Sequence, residues 1–519
     1  MTNARSVPVI DLFAGPGGLG EGFSSLIAPE GTRRFTLRVS IEKEPTAHMT
    51  LSLRALFRSF PPGKVPDCYY DYIQGKISRD DLFSHPSIPD GSRAAALEAR
   101  CAELGKTSHE EIDTLISDAI GNADEWVLIG GPPCQAYSIA GRSRRSKEKI
   151  SDFENDEKHF LYREYLRILR RFSPSVFVME NVKGILTSQH GGSPIFDQIL
   201  ADLHSPGGDY KYEIRSFVVP SGNRDIVPND FVIAAEKFGV PQSRHRVILF
   251  GIRSDLAATR SLRDNPGRFV LTPSSSKVTV ADALSSLPPL RSRVSREKDS
   301  HETWLEALET ATDGFKWRRE LDREAYEMAF HKACSRATQH TSYGGSFLPG
   351  ASPISPTLPA GLRTWYADPR LGGVLQHETR RHMRSDLHRY MFAACHAALK
   401  GTSPKLIDFP PRFLPEHGNV DADHVPFDDR FRVQIPGAPS TTVVSHIAKD
   451  GHYYIHYDPS QCRSLTVREV ARLQTFPDNY FFEGTRTEQY TQIGNAVPPW
   501  LARQIAEVVY RFIEDSRRR

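Results

Sequence analysis

The sequence predicts an α/β fold: a doubly wound sheet domain first, then a second, loop-rich domain, then a short return to the first. Short apolar runs that end in glycines or carboxylates predict the strands. Stretches with apolar residues at helical spacing lie between them. This regularity fades after about residue 256 and resumes near residue 461.

The strands come in order. Val9-Ile-Asp-Leu-Phe13 is a buried-strand run that leads into glycines. Phe35, Leu37, Val39 and Ile41 alternate with polar residues and predict a second strand. Trp126–Ile129, Val176–Met179 and Val247–Phe250 predict three more. Between them, Leu161, Tyr165, Ile168, Leu169 and Phe172 fall on one helical face. Strands alternating with helices imply a parallel sheet, with ligands at the carboxyl ends of its strands. Residues 78–125 read as a helical insertion, in which Ser108 and Glu111 form a capping box. Thr272-Pro-Ser-Ser-Ser276 reads as a linker. Pro498-Pro499 starts an amphipathic helix through Leu501, Ile505, Val508, Val509 and Phe512. The expected organisation is a catalytic and cofactor-binding domain over 1–255, a second domain over 256–460, and a return over 461–519.

Composition narrows the class. At 519 residues the chain exceeds one compact core, and 39% hydrophobic with 25% charged residues is ordinary for a globular protein. No apolar run is long enough to span a membrane and no secretory leader is evident, so a cytoplasmic protein is expected. Six scattered cysteines contain no C-x-x-C pair, which argues against a zinc site or a disulfide framework. The net charge of +3 does not itself point to nucleic acid. Local basic clusters do occur at Arg142–Lys149, Arg291–Lys298 and Arg380–Arg389. His377-Glu-x-x-x-His382 misses the H-E-x-x-H zinc spacing by one residue, so a charged helix is expected there and no metal. Trp304, Trp317 and Trp365 are expected in the core.

Four motifs carry chemistry. Gly15, Gly17 and Gly20 fit G-x-G-x-x-G after the first strand, and Glu42 lies where a carboxylate can grip a ribose. Alone, this pattern suits NAD, FAD, S-adenosylmethionine or a tight turn. Gly130-Gly-Pro-Pro-Cys-Gln135 is more specific, because prolines and glycines make a poor core setting for Cys134. A thiol with an ordinary pKa of roughly 8.5 needs local help to act as a nucleophile. Glu180-Asn-Val182 follows a strand and offers a carboxylate for acid–base work or a helix cap. Gln242-Ser-Arg-His-Arg246 sets two arginines at alternate positions.

Taken in order, these motifs are similar to those of the cytosine-5 DNA methyltransferase family. Arg463–Pro477 resembles the family's ninth motif, and Gln492-Ile-Gly-Asn-Ala-Val-Pro498 the last. The resemblance covers about residues 7–253 and 461–515. It implies a Rossmann-like, class I S-adenosylmethionine-dependent methyltransferase domain with a target recognition domain over 256–460. It implies methyl transfer from S-adenosylmethionine to carbon 5 of a flipped cytosine in duplex DNA, in a restriction–modification setting. Cys134 would attack carbon 6, Glu180 would hold ring nitrogen 3, and Arg246, with Arg244, would hold the carbonyl oxygen or the loop. Cofactor residues map onto Phe13, Gly15, Gly17, Glu42, Asp71, Leu161 and Asn495, while Lys43 stands where the family often has an aromatic or apolar residue. Arg142, Arg144 and Arg145 would meet DNA phosphates. The implied partners are double-stranded DNA and a cognate restriction endonuclease on the same site, with a monomer acting alone. The competing readings are an RNA (tRNA) cytosine-5 methyltransferase and a catalytically inactive DNA-binding relative.

Overall fold

The computed structural model describes residues 6–133, 157–190, 193–220, 226–257, 262, 264–312, 322–350, 354–415 and 428–518. The chain forms two compact units. One comprises residues 1–67, 83–276 and 496–519; the other comprises 68–82 and 277–495.

The first unit is built on an eight-stranded sheet. Its strands are β1 (Val7–Leu12), β2 (Phe35–Glu42), β3 (Ala99–Cys101), β4 (Val127–Gly130), β5 (Val176–Val182), β6 (Tyr212–Ser216), β7 (Val232–Ala234) and β8 (His245–Arg253). They lie in the order β3-β2-β1-β4-β5-β8-β6, with β7 also paired to β8. The first five are parallel, as expected. β8 runs antiparallel to β5, β6 and β7, so the sheet is mixed rather than wholly parallel. Strand order reverses between β1 and β4, and such a point opens a crevice at the carboxyl ends of the strands.

Each face of the sheet has its own core. Val127 and Ile129 pack with α1 (Gly18–Ser24) and the C-terminal helix Pro499–Ser516, whereas Leu128 between them faces the opposite core. There it meets Ile112 and Ile116 of α4 (His109–Ile120) and Tyr165, Ile168 and Leu169 of α5 (Glu157–Phe172). This two-sided burial explains the continuous apolar runs in these strands. Ser108 caps α4 by accepting from Glu111 N. Small residues let α1 meet the C-terminal helix closely: a Cβ on Gly22 would lie 2.4 Å from Ala502 Cβ.

Two expectations change in this unit. The 78–125 insertion is not purely helical, because it contributes β3 to the sheet as well as α3 (Asp90–Ala96) and α4. The β2 alternation also hides a break. Val9 pairs with Leu37 but Ile10 pairs with Val39, so Arg38 is an extra residue, a β-bulge. Phe35 and Leu37 therefore face one core and Val39 and Ile41 the other, although all four are odd-numbered.

The second unit holds a separate core around Trp304, Tyr326, Phe330, Leu387, Tyr390, Phe392 and Phe431. Helices Arg323–Ala337 and Arg384–Lys400 pack together in it. Trp304 is fully buried, Trp365 is half-buried and donates to Thr475 O, and Trp317 lies outside the described residues. The His377 segment is not a helix: strands Gly373–Glu378 and Arg381–His382 carry the two histidines.

The segment expected to rejoin the first domain at 461 belongs to the second unit as far as Asn495; only Ala496–Arg519 returns. Arg468 and Arg472 tie it there by donating to the carbonyls of Leu375 and Ala283, and further buried arginine contacts brace the segment internally. Arg463 pairs with Glu469 through two 2.7 Å contacts, and Arg472 pairs with Asp478. Arg468 donates to the carbonyls of Leu375, Pro477 and Tyr480. Burial then lowers its pKa to about 10. The first domain also extends past 255, to Ser276, because Phe269 and Leu271 join its core.

Candidate active site

The loops at the strand-order reversal begin from paired residues. Leu12 at the end of β1 pairs with Gly130 at the end of β4. The backbones are so close that a Cβ on Gly130 would lie 2.5 Å from Leu12 O. Glycine is thus required where the Pro132-Pro133 segment leaves the sheet.

On the β1 side, Phe13, Gly15 and Gly17 take positive φ values of 57°, 58° and 91°. Phe13 is a non-glycine residue in a conformation that favours glycine, and strain of this kind tends to collect at ligand-binding loops. Gly15 N–H donates to Glu42 Oε2 at 2.8 Å, and Glu44 N–H donates to Oε1 at 2.8 Å. Glu42 thereby holds the glycine loop and the start of α2 (Pro45–Ser59) together. Burial raises its pKa, and these backbone donors oppose the rise. A Cβ on Gly15 would meet nothing within 4 Å, so the loop faces open space. A carboxylate tied to a left-handed glycine loop beside open space fits an adenosine-containing cofactor.

On the β4–β5 side, Arg246 Nε lies 2.9 Å from Glu180 Oε1, and both side chains are about 15% exposed. Burial lowers the Arg246 pKa, and Glu180 opposes that shift. A Cβ on Gly131 would sit 2.8 Å from Glu180 Oε2. Asn181 accepts from Val182 N and donates to Pro132 O at 3.3 Å, tying β5 to the segment that precedes Cys134. Cys134, Arg142, Arg144 and Arg145 lie outside the described residues.

Other expected residues are distributed differently. Arg244 is only 2% exposed, and its carbonyl accepts from Ala235 N. Arg246 makes the ion pair with Glu180. Leu161 is half-buried on α5 and packs against the core shared with α4. Asp71 and Asn495 belong to the second unit, where Asp71 pairs with Lys76 and Asn495 ends helix Arg486–Asn495. The first unit supplies a different acid. β3 pairs with β2 at Glu42–Cys101, Ala102 N donates to Glu42 O, and Glu103 follows. Glu103 therefore stands at a carboxyl strand end beside Glu42, within 3.5 Å of Lys43 and 3.3 Å of Lys106. The three-residue, arginine-containing β3 gave no apolar run to announce it. The basic clusters at 291–298 and 380–389 are largely neutralised: Arg291, Arg293, Arg384 and Arg389 all pair with carboxylates.

Comparison with known proteins decides the family. Residues 90–511 match the family model described as C-5 cytosine-specific DNA methylase. The chain belongs to the C-5 cytosine-specific DNA methylases. Type II methyltransferase M.Bpa9945I of Bacillus paralicheniformis is 33% identical over 517 residues, covering 96% of this chain and 98% of that protein. Type II methyltransferase M.AgeI of Thalassovita gelatinovora is 29% identical, with 96% and 98% covered. The DNA (cytosine-5-)-methyltransferase M.ApeKI of Aeropyrum pernix is 26% identical, with 80% and 87% covered. A crystal structure from an E. coli prophage, described as a DNA modification methyltransferase, superposes with a TM-score of 0.54 at 19% identity. It covers 98% of this chain and 100% of that one, and it agrees with the α/β methyltransferase fold. This DNA methylase is of the bacterial restriction–modification type, and its methyl donor is S-adenosylmethionine. No helix among its described residues is long and apolar enough to cross a membrane.

Proposed function

We propose that Cys134, Glu180 and Arg246 carry the methyl transfer. The Glu180–Arg246 pair beside Gly131, three residues before Cys134, is the observation that supports this reading. Carbon 5 of cytosine is a weak nucleophile. Addition of the Cys134 thiolate to carbon 6 makes the ring enamine-like, so that carbon 5 can take a methyl group. Glu180 holds or protonates ring nitrogen 3 and limits negative charge on the base. Arg246 fixes the Glu180 carboxylate and offers donors to the carbonyl oxygen, a preorganised electrostatic contribution. S-adenosylmethionine supplies the electrophilic methyl group. Loss of the carbon 5 proton then expels the thiol and releases 5-methylcytosine. The base must leave the duplex to be reached, at a cost of a few kcal/mol.

Phe13, Gly15, Gly17 and Glu42 hold the cofactor, with Leu161 and Asn495 as further contacts. Glu103 takes the adenine-facing role that the sequence suggested for Asp71; its place after β3, beside Glu42, supports the exchange. Arg142, Arg144 and Arg145 contact DNA phosphates. The part of residues 256–460 that lies in the second unit reads the DNA sequence. The enzyme acts as a cytoplasmic monomer and protects sites cut by a cognate endonuclease. The test is Cys134→Ala, assayed for transfer of labelled methyl to duplex DNA and for S-adenosylmethionine binding. Loss of transfer with binding retained is expected; transfer that persists overturns the nucleophile.

A further inference from the structure

A cavity of about 350 Å³ opens in the first unit at the end of the sheet opposite the cofactor loop. It lies between the first half of β2, the end of α2, and the end of α3 with the residues that follow it. Arg38, on its wall, is four residues before Glu42, or about 13 Å along the strand. The cavity is thus separate from the glycine loop and from Glu180.

Its walls are unbalanced in charge. Arg33, Arg38, Arg58 and Arg100 line it, with Glu98 as the one carboxylate among the lining residues. Glu98 is already engaged, since Oε1 accepts from Ser40 and from Arg58. The next acid, Glu21, is taken by Arg54 through contacts to both oxygens. Five guanidiniums, counting Arg54, therefore share two carboxylates. A third acid, Asp11, interacts electrostatically with Arg58 and Glu98, but burial holds it towards its neutral form.

Individual groups show the same excess. The Arg58 side chain is 7% exposed. Its Nη1 has no hydrogen-bond partner and lies 3.7 Å from Glu21 Oε2, beyond hydrogen-bond reach. Arg100 Nε is likewise buried without a partner. Arg33 donates to Ser24 O, and burial together with the Arg58 guanidinium pulls its pKa down to about 10. Arg38 is the bulged residue of β2, and bulges re-aim side chains. Arg38 and Arg100 have no ion-pair partner among the described residues. A neighbouring cavity of about 490 Å³ shares both arginines and carries Asp118 as its acid.

Buried guanidinium nitrogens without a partner, here Arg58 Nη1 and Arg100 Nε, are costly unless something satisfies them, and the exposed Arg38 adds a further positive charge at the mouth. Planar guanidiniums are well matched to phosphate oxygens. The remaining wall is apolar, with Phe35, Leu37 and Leu97, and the volume lies at the small end for ligand sites. We infer that this cavity binds a phosphate-class oxyanion, free or carried by a mononucleotide-sized molecule, at a site separate from cofactor and DNA.

The test uses the full chain saturated with S-adenosylhomocysteine, which keeps the cofactor site filled. Inorganic phosphate and uridine monophosphate are titrated by calorimetry at constant ionic strength, against sodium chloride as control. One-site binding is expected, weakened at least tenfold in the Arg38→Gln/Arg100→Gln variant, whose S-adenosylhomocysteine affinity stays unchanged. Equal affinity for the two probes identifies the free ion; tighter uridine monophosphate binding identifies an ester. Three results overturn the site: no binding beyond the chloride control, unchanged binding in the double variant, or displacement by a short DNA duplex.

Discussion

Arg246 with Glu180 in the first unit and Arg463 with Glu469 in the second are both arginine–glutamate pairs at 2.9 and 2.7 Å. Their surroundings differ. The first pair is about 15% exposed, stands at strand ends, and faces a glycine where any side chain would crowd the carboxylate. The second is 1% exposed on both sides, doubly bonded, and enclosed by Gln461, Thr466 and His456. Burial opposes ionisation of Glu469, but Arg463 outweighs it and holds the carboxyl far below its usual range. The same two residue types can therefore stand partly open at strand ends or be sealed within a segment.

Substitution should separate the two uses. Glu180→Gln should lower the methyl-transfer rate by about 10²–10⁴-fold, with little change in unfolding free energy. A variant equally active and well folded would break the contrast from the first side. Arg463→Met leaves Glu469 buried and unpaired, and should cost about 3–5 kcal/mol in denaturant unfolding. A loss well under 1 kcal/mol would mean that this pair does not fasten the segment.

Acid should act on the second unit through its buried histidines. Burial lowers the pKa of His377 to about 4 and of His456 to about 3, from an ordinary 6.5, and lowers His382 well below that value. Below about 6.5 the unfolded chain takes up these protons while the fold does not. Their contribution to stability is therefore complete above about pH 6.5 and is lost as pH falls towards 4 and then 3. The expected slope is up to about 1.4 kcal/mol per pH unit for each histidine. Hydrogen exchange at residues 463–480 between pH 7 and 4 measures it; protection that stays flat across that range contradicts the assignment. The smallest effect concerns the cofactor. Glu103→Gln should raise KM for S-adenosylmethionine several-fold, whereas Asp71→Asn should leave it unchanged, and the reverse pattern would restore Asp71.

The Glu180 motif and the glycine loop were legible because each residue type is needed next to its neighbours in sequence. Leu12 and Gly130, Gly15 and Glu42, and Glu180 and Gly131 then meet through strand pairing, which short apolar runs announce. Asp71 shows the converse: its segment was grouped with the cofactor residues by sequence, and the fold places it in the second unit. Its segment, Tyr69-Tyr-Asp-Tyr-Ile73, carries local signals as strong as those of β3 are weak. In the second unit Tyr70 and Tyr72 are held by Asp368 and Glu483, hundreds of residues away.

By itself, then, the sequence determined the chemistry and the order of its parts: a glycine loop, a Pro-Pro-Cys segment, a strand-end glutamate and an arginine strand. Those depend on residue type and local spacing. Tertiary structure alone decided that Arg38 bulges out of β2, that Glu103 stands beside Glu42, and that residues 461–495 are fastened to the second unit. These outcomes depend on strand register and on Arg468 and Arg472 reaching the carbonyls of Leu375 and Ala283 far along the chain, which no local pattern encodes.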